Sequence, residues 1–66
     1  MLIGQRVMID GEEYEVTRIG TPCGVDTVIT VVNTHGYPVG QRMTAQRLLW
    51  LMEAGRCVIE SAEEEG

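Results

Sequence analysis

The sequence predicts a small, mainly β protein of α+β type, in which short strands form a partly open antiparallel barrel with one helix. Three features lead to this prediction. Asp10-Gly11 separates two strand-like runs, which is the strongest short-range signal for a β-hairpin. Residues 26–33 are rich in β-branched side chains and indicate a further strand. Residues 44–61 combine a capped helix, a glycine stop and a closing strand.

The first hairpin pairs an apolar run before the turn with an alternating run, residues 12–19. In the second run, Tyr14 and Val16 alternate with polar residues and are expected to face the core. Ile19 breaks this alternation, which predicts a bulge or bend near Thr17-Arg18.

The next two strands are separated by turn-forming residues. A loop with two glycines and a proline, residues 20–24, precedes the strand at 26–33, and Thr34-His35-Gly36 forms the following turn. The fourth strand is predicted over residues 37–43. It contains Pro38, which cannot donate a ladder hydrogen bond, so we expect it to be short and to lie at a sheet edge.

The helix is predicted over residues 45–54, with Thr44 as its N-cap and Gly55 as the left-handed residue after its last turn. Cys57-Val58-Ile59 then form the fifth strand. The helical residues expected to face the core follow the i, i+3, i+4, i+7 spacing: Ala45, Leu48, Leu49 and Met52. The predicted order is β-β-β-β-α-β, in a single domain over residues 1–61.

Trp50 is the unusual residue of this helix. At about 100° per residue it points away from the predicted core face, on the same side as Arg47. Either a loop folds over it, or another subunit or a partner covers it, because tryptophan and arginine are enriched in binding hot spots. Leaving a tryptophan in water forgoes about 2 kcal/mol of burial free energy, which is large for a domain of this size.

The charge of the chain limits its partners. Its 66 residues carry a net charge of −5, from ten acidic residues against five arginines and no lysine. Direct nucleic-acid binding is therefore disfavoured, and a basic protein partner is weakly favoured. Much of the acidic charge lies at the end of the chain, where we expect residues 62–66 to form a flexible acidic tail.

The apolar content of the chain limits its location. No segment approaches the roughly 18 apolar residues of a membrane span, and the first residues lack the apolar run of a secretory signal. We therefore expect a cytoplasmic protein with reduced thiols and no membrane association. A Cys23–Cys57 disulfide is the alternative.

Three segments of the chain resemble SH3-like barrels: I-D-G-E-E-Y-E-V at 9–16, I-T-V-V-N-T-H-G at 29–36, and M-T-A-Q-R-L-L-W-L-M-E-A-G-R-C-V-I at 43–59. Those barrels likewise place a helical turn between the fourth and fifth strands. The pattern also resembles short accessory proteins of bacteriophages and prophages, in which a D-G hairpin and a capped helix recur. This resemblance implies a phage- or mobile-element-encoded protein that binds or inhibits a bacterial host or defence protein in the host cytoplasm. The chain departs from signalling SH3 domains, because it has no phenylalanine and only three aromatic residues, and polyproline recognition is not expected.

The candidate chemistry of the chain is sparse. Cys23 and His35 are the one possible nucleophile–base pair, with no evident orienting third residue, so we expect no enzymatic activity. Together with Cys57 they are widely spaced single residues and not the paired ligands typical of zinc sites. We therefore expect no metal and no cofactor.

Binding is the predicted function, in one of two forms. In the first, a bacterial protein partner is contacted by aromatic, cationic and loop side chains: Trp50, Arg47, Tyr37 and His35. In the second, the protein is a homo-oligomer that sequesters a small anionic ligand, such as a signalling nucleotide, at subunit interfaces. The helix start would then supply the ligand-binding residues, since arginine forks and a helix N-terminus favour anions: Arg42, Arg47 and Thr44.

Overall fold

The computed structural model describes residues 2–60 of the chain. Its elements are β1 (Arg6–Ile9), β2 (Glu12–Ile19), β3 (Val28–Asn33), β4 (Gly40–Thr44), α1 (Ala45–Glu53) and β5 (Cys57–Ile59). All strand pairs are antiparallel and form one open sheet in the order β4-β3-β2-β1-β5. The predicted mainly β class and the order of elements are confirmed. The acidic tail predicted at residues 62–66 lies outside the described residues.

The β1–β2 turn is the two-residue turn that Asp10-Gly11 predicts. Both residues have positive φ, 52° and 86°, and Ile9 lies opposite Glu12 in the ladder. This conformation costs glycine nothing, and aspartate tolerates it better than most residues.

A bulge interrupts β2 at Thr17, as the sequence predicts. The register with β3 shifts between Val16 and Arg18, so one extra residue is inserted there. The insertion returns Ile19 to the inner face of the sheet, where it packs against the core.

The third and fourth strands are shorter than predicted at their N-terminal ends. Asp26 and Thr27 belong to the preceding turn, because their N–H groups bond to the carbonyls of Cys23 and Gly24. β4 begins at Gly40, two residues after Pro38, instead of at residue 37. The prediction of a short edge strand here is confirmed.

The helix covers the inner face of the sheet. Nine buried residues form the core: Val7, Ile9, Tyr14, Val16, Ile29, Val31, Leu48, Leu51 and Cys57. The prediction that Leu49 faces this core is wrong, since the residue is 51% exposed. The buried side of α1 is centred on Leu48 and Leu51, and Leu49 is turned about 100° beyond Leu48 onto the flank of the helix.

The ends of α1 follow the predicted capping. The Arg47 N–H donates to the Thr44 hydroxyl over 3.1 Å, and Gly55 follows the helix at a φ of 75°. Among the described residues, no helix is long and apolar enough to span a membrane.

Candidate functional site

Trp50 lies on the side of α1 that faces away from the sheet, and 48% of its surface is exposed. The guanidinium carbons of Arg47 and Arg56 lie over its ring, 4.7 Å and 5.6 Å from the ring centroid. Both distances are within the range of cation–π attraction. Two arginines therefore hold the ring in place while about half of it remains open to solvent.

Arg56 is held by the β1–β2 turn. Its Nε and Nη2 donate to Oδ1 and Oδ2 of Asp10 over 2.9 Å and 3.1 Å. This hydrogen bonding lowers the pKa of Asp10 and raises that of Arg56. The charge of Arg56 is thus matched within the chain, and its position over the tryptophan is set by the hairpin.

Arg47 has a different electrostatic environment. Within residues 2–60, no carboxylate lies within 4 Å of its guanidinium. Its side chain is exposed and touches the Trp50 ring. We refer to Arg47, Trp50 and Arg56 as the Trp50 surface. This surface combines an aromatic ring with one arginine that is available to an external anionic group.

His35 lies in the β3–β4 turn and lines an open groove of about 490 Å³. Its Nδ1 is 3.1 Å from the Thr34 hydroxyl and 3.6 Å from Oε1 of Glu13. Gly11 lines the same groove, next to the aspartate that holds Arg56. The groove and the Trp50 surface therefore each adjoin the β1–β2 turn, through Gly11 and Asp10 respectively.

Tyr37, the fourth predicted contact residue, follows the β3–β4 turn and is 86% exposed. The structure shows its ring open to solvent on the segment between β3 and β4. Of the four predicted partner-contact residues, Trp50 and Arg47 lie in direct contact, and His35 lies on the neighbouring groove.

The groove is acidic. The Thr34 hydroxyl donates to Glu13 over 2.6 Å, and this hydrogen bond lowers the pKa of Glu13. Burial and the neighbouring Glu13 raise the pKa of Glu60. A proton taken up by these two carboxyl groups therefore goes to Glu60 first.

The residues predicted to bind an anion are placed apart. Arg42 lies opposite Thr30 on the outer face of the sheet, whereas Arg47 lies on the helix that covers the inner face. The Thr44 hydroxyl accepts the capping hydrogen bond of α1. Within one chain, Arg42 and Arg47 do not line a common site.

The cysteines are both free. Cys23 is exposed in the loop before β3, and His35 follows the other end of that strand, so the structure does not bring this candidate pair together. Cys57 is buried, which raises the pKa of its thiol. Among residues 2–60, no three histidine, cysteine or acidic side chains are grouped so as to hold a metal ion.

Comparison of the chain with protein-family models, with curated proteins and with solved structures found no match. Sequence reasoning assigned no role to two arginines that the structure places at surfaces, Arg18 and Arg56. The sequence contained a signal for Arg18, because the predicted bulge changes the face of β2 on which Arg18 lies.

Proposed function

We propose that this protein acts by binding a protein partner through the Trp50 surface, without catalysing a reaction. The observation that carries the proposal is the half-exposed Trp50 ring with Arg47 and Arg56 over it. Hot spots of protein interfaces are enriched in tryptophan and arginine. Because the two arginines already restrict the ring, less conformational entropy is lost on binding.

The chemistry of the contact follows from Arg47. Its planar fork has no carboxylate partner within residues 2–60 and suits a bidentate carboxylate. The partner segment is therefore acidic and carries an apolar side chain for Trp50. The net charge of −5 favours a partner whose surface is basic outside this segment. The acidic segment that contacts Arg47 is therefore short.

We further propose that the protein is a phage- or mobile-element-encoded accessory protein that occupies a bacterial host or defence protein in the cytoplasm. The basis is the resemblance to SH3-like accessory proteins. The proposal also draws on two features of the sheet. The last strand lies beside the first, and the register of β2 with β3 shifts at a bulge between Val16 and Arg18.

The proposal is tested with immobilised protein and bacterial lysate, followed by titration of the purified captured protein. We expect Trp50→Ala to abolish capture, and Arg47→Glu to weaken it and to reduce its salt dependence. Val58→Ala is the matched control, because Val58 is an exposed apolar residue on β5 and lies opposite Met8. Equal capture by wild type and Trp50→Ala would contradict the proposal.

The second candidate function is a homo-oligomer that sequesters a small anion between subunits. It is favoured by Arg42, which is exposed and has no carboxylate within 4 Å among residues 2–60. Light scattering at several concentrations separates the two functions. If the wild-type protein is an oligomer and Trp50→Ala dissociates it, the Trp50 surface lies between subunits. If the wild-type protein is a monomer, the Trp50 surface remains available to a partner protein.

A further inference from the structure

We propose that Arg18, Thr30 and Arg42 form a binding site for the phosphate group of a small phosphorylated molecule on the outer face of the sheet. The site is separate from the Trp50 surface and is complete within one chain. It therefore requires neither the protein partner nor the subunit interface proposed above.

The strand register builds this site. Arg18 on β2 lies opposite Thr30 on β3, and Thr30 lies opposite Arg42 on β4. The three residues form one row across three strands, so the two arginine Cα atoms are separated by about 10 Å, two inter-strand spacings. The bulge at Thr17 is what brings Arg18 into this row. Without the bulge, side chains would continue to alternate between the two faces of β2, and Arg18 would lie on the same face as Val16.

The row lies in an open cleft of about 330 Å³, which all three residues line. Gly20 and Val28 line the rest of the cleft. A Cβ at position 20 would lie 3.3 Å from the Val28 carbonyl oxygen, so the chain passes close to the backbone of β3 at this end of the cleft. The volume is at the lower end of the range for small-molecule sites.

The charges of the cleft are unmatched within residues 2–60. No carboxylate lies within 4 Å of either guanidinium. Two cations on either side of one residue repel each other, and an anion between them removes that repulsion. The chain has five cationic residues in total, and two of them are placed in this row.

The side chains of this row are suited to binding a phosphate group. Each arginine presents a planar fork that matches two phosphate oxygens, and the Thr30 hydroxyl can donate to a third. The net charge of −5 repels a long polyanion such as nucleic acid, whereas a small ligand meets mainly the local field of the two arginines.

The site is tested by NMR titration of ¹⁵N-labelled protein with inorganic phosphate, and separately with a nucleoside 5′-monophosphate, at ionic strength held constant with sodium chloride. We expect saturable shifts that are largest at the backbone amides of the cleft: Arg18, Gly20, Val28, Thr30 and Arg42. Saturable binding of inorganic phosphate would show that the phosphate group is sufficient for recognition. Tighter binding of the nucleotide shows that the cleft also contacts the rest of the ligand.

Variants that each remove one positive charge at a different place distinguish binding at this site from a general effect of net charge. We expect Arg18→Gln and Arg42→Gln each to weaken phosphate binding about tenfold or more, and the double variant to lose it. Arg42→Lys keeps the charge but loses the fork, and so retains part of the affinity. Arg6→Gln is the control, because it removes one positive charge from β1, where Arg6 lies 3.9 Å from Oε1 of Glu13 and outside the cleft.

Two results would overturn the site. One is the absence of saturable shifts in the wild-type protein. The other is an equal effect of Arg6→Gln and Arg42→Gln on phosphate affinity. The amide spectra of all variants report their folding, so a loss of binding in an unfolded variant is recognised directly. Loss of partner capture on Trp50→Ala has no bearing on this site.

Discussion

Arg56 binds the carboxylate of Asp10 through two hydrogen bonds, of 2.9 Å and 3.1 Å, across 46 positions of the chain. A backbone hydrogen bond from the Asp10 N–H to the Arg56 carbonyl, 2.8 Å long, runs beside them. The β1–β2 turn is thereby joined to the connection between α1 and β5. The same guanidinium lies over Trp50, so the turn also positions the candidate binding surface.

Replacing Asp10 by asparagine tests this link while preserving the turn, because asparagine also tolerates positive φ. We expect a small loss of thermal stability at pH 7. The pKa of Asp10 is lowered in the folded state from its ordinary 3.8, so the ion pair stabilises fully above that pH and is lost as the pH falls through the folded-state value. The difference in Tm between wild type and variant should therefore vanish in strong acid.

The control for this comparison is Asp26→Asn, which removes an exposed carboxylate with no ion-pair partner within 4 Å among residues 2–60. An equal pH-dependent effect of both substitutions would show that net charge, and not the Asp10–Arg56 contact, is responsible.

Glu60 gives the opposite pH dependence. Burial and the nearby Glu13 raise its pKa above the ordinary 4.5, so its contribution to stability is full below that pH and is lost as the pH rises through the folded-state value. Glu60→Gln should therefore raise the Tm at pH 7 and have little effect near pH 3. Glu53→Gln, an exposed helical position, is the control. A lower Tm for Glu60→Gln at pH 7 would contradict this prediction.

The helix contains residues for folding and residues for binding. Leu51 is buried in the core, and Leu51→Ala should destabilise the protein by about 2–5 kcal/mol. Trp50 is half-exposed, and Trp50→Ala should cost only about 1 kcal/mol. Urea unfolding of both variants measures the difference. A larger cost at Trp50 would show that its main role is structural.

The β1–β2 turn is sensitive to the residue at position 11. Gly11 has a φ of 86°, and a Cβ added at this position would have no heavy atom within 4 Å. Gly11→Ala therefore meets no clash and costs about 1–2 kcal/mol through backbone conformation alone. Gly40→Ala, where the added Cβ makes ordinary contacts with Val32 and Val31, is the control. Equal unfolding free energies for the two variants would contradict the assigned turn.

The two thiols should differ in reactivity. Cys23 is exposed, whereas Cys57 is buried and its pKa is raised by that burial. A thiol reagent should modify Cys23 in the native protein and Cys57 only after unfolding, since the thiolate is the reactive form. Mass spectrometry of partially labelled protein shows which cysteine reacts. Rapid native labelling of Cys57 would show that β5 opens readily at the sheet edge.

The sequence alone was sufficient for several local features, although not for the starts of β3 and β4. The Asp10-Gly11 turn, the bulge near Thr17 and the Thr44 cap were all predictable, because each depends on the backbone preferences of a few neighbouring residues. The same reasoning identified Trp50 and Arg47 as one side of the helix. It misplaced Leu49, because periodicity defines the spacing of an apolar face but not the angle at which the helix meets the sheet.

Only the tertiary structure decided which distant residues share a surface. Arg56 reaches Trp50 because Asp10, in the β1–β2 turn, binds it. Arg18 joins Arg42 because a bulge changes the face of β2 and the strand register sets both opposite Thr30. These relationships depend on strand order and register, which arise from packing over the whole chain, whereas turns and caps arise from interactions within a few residues.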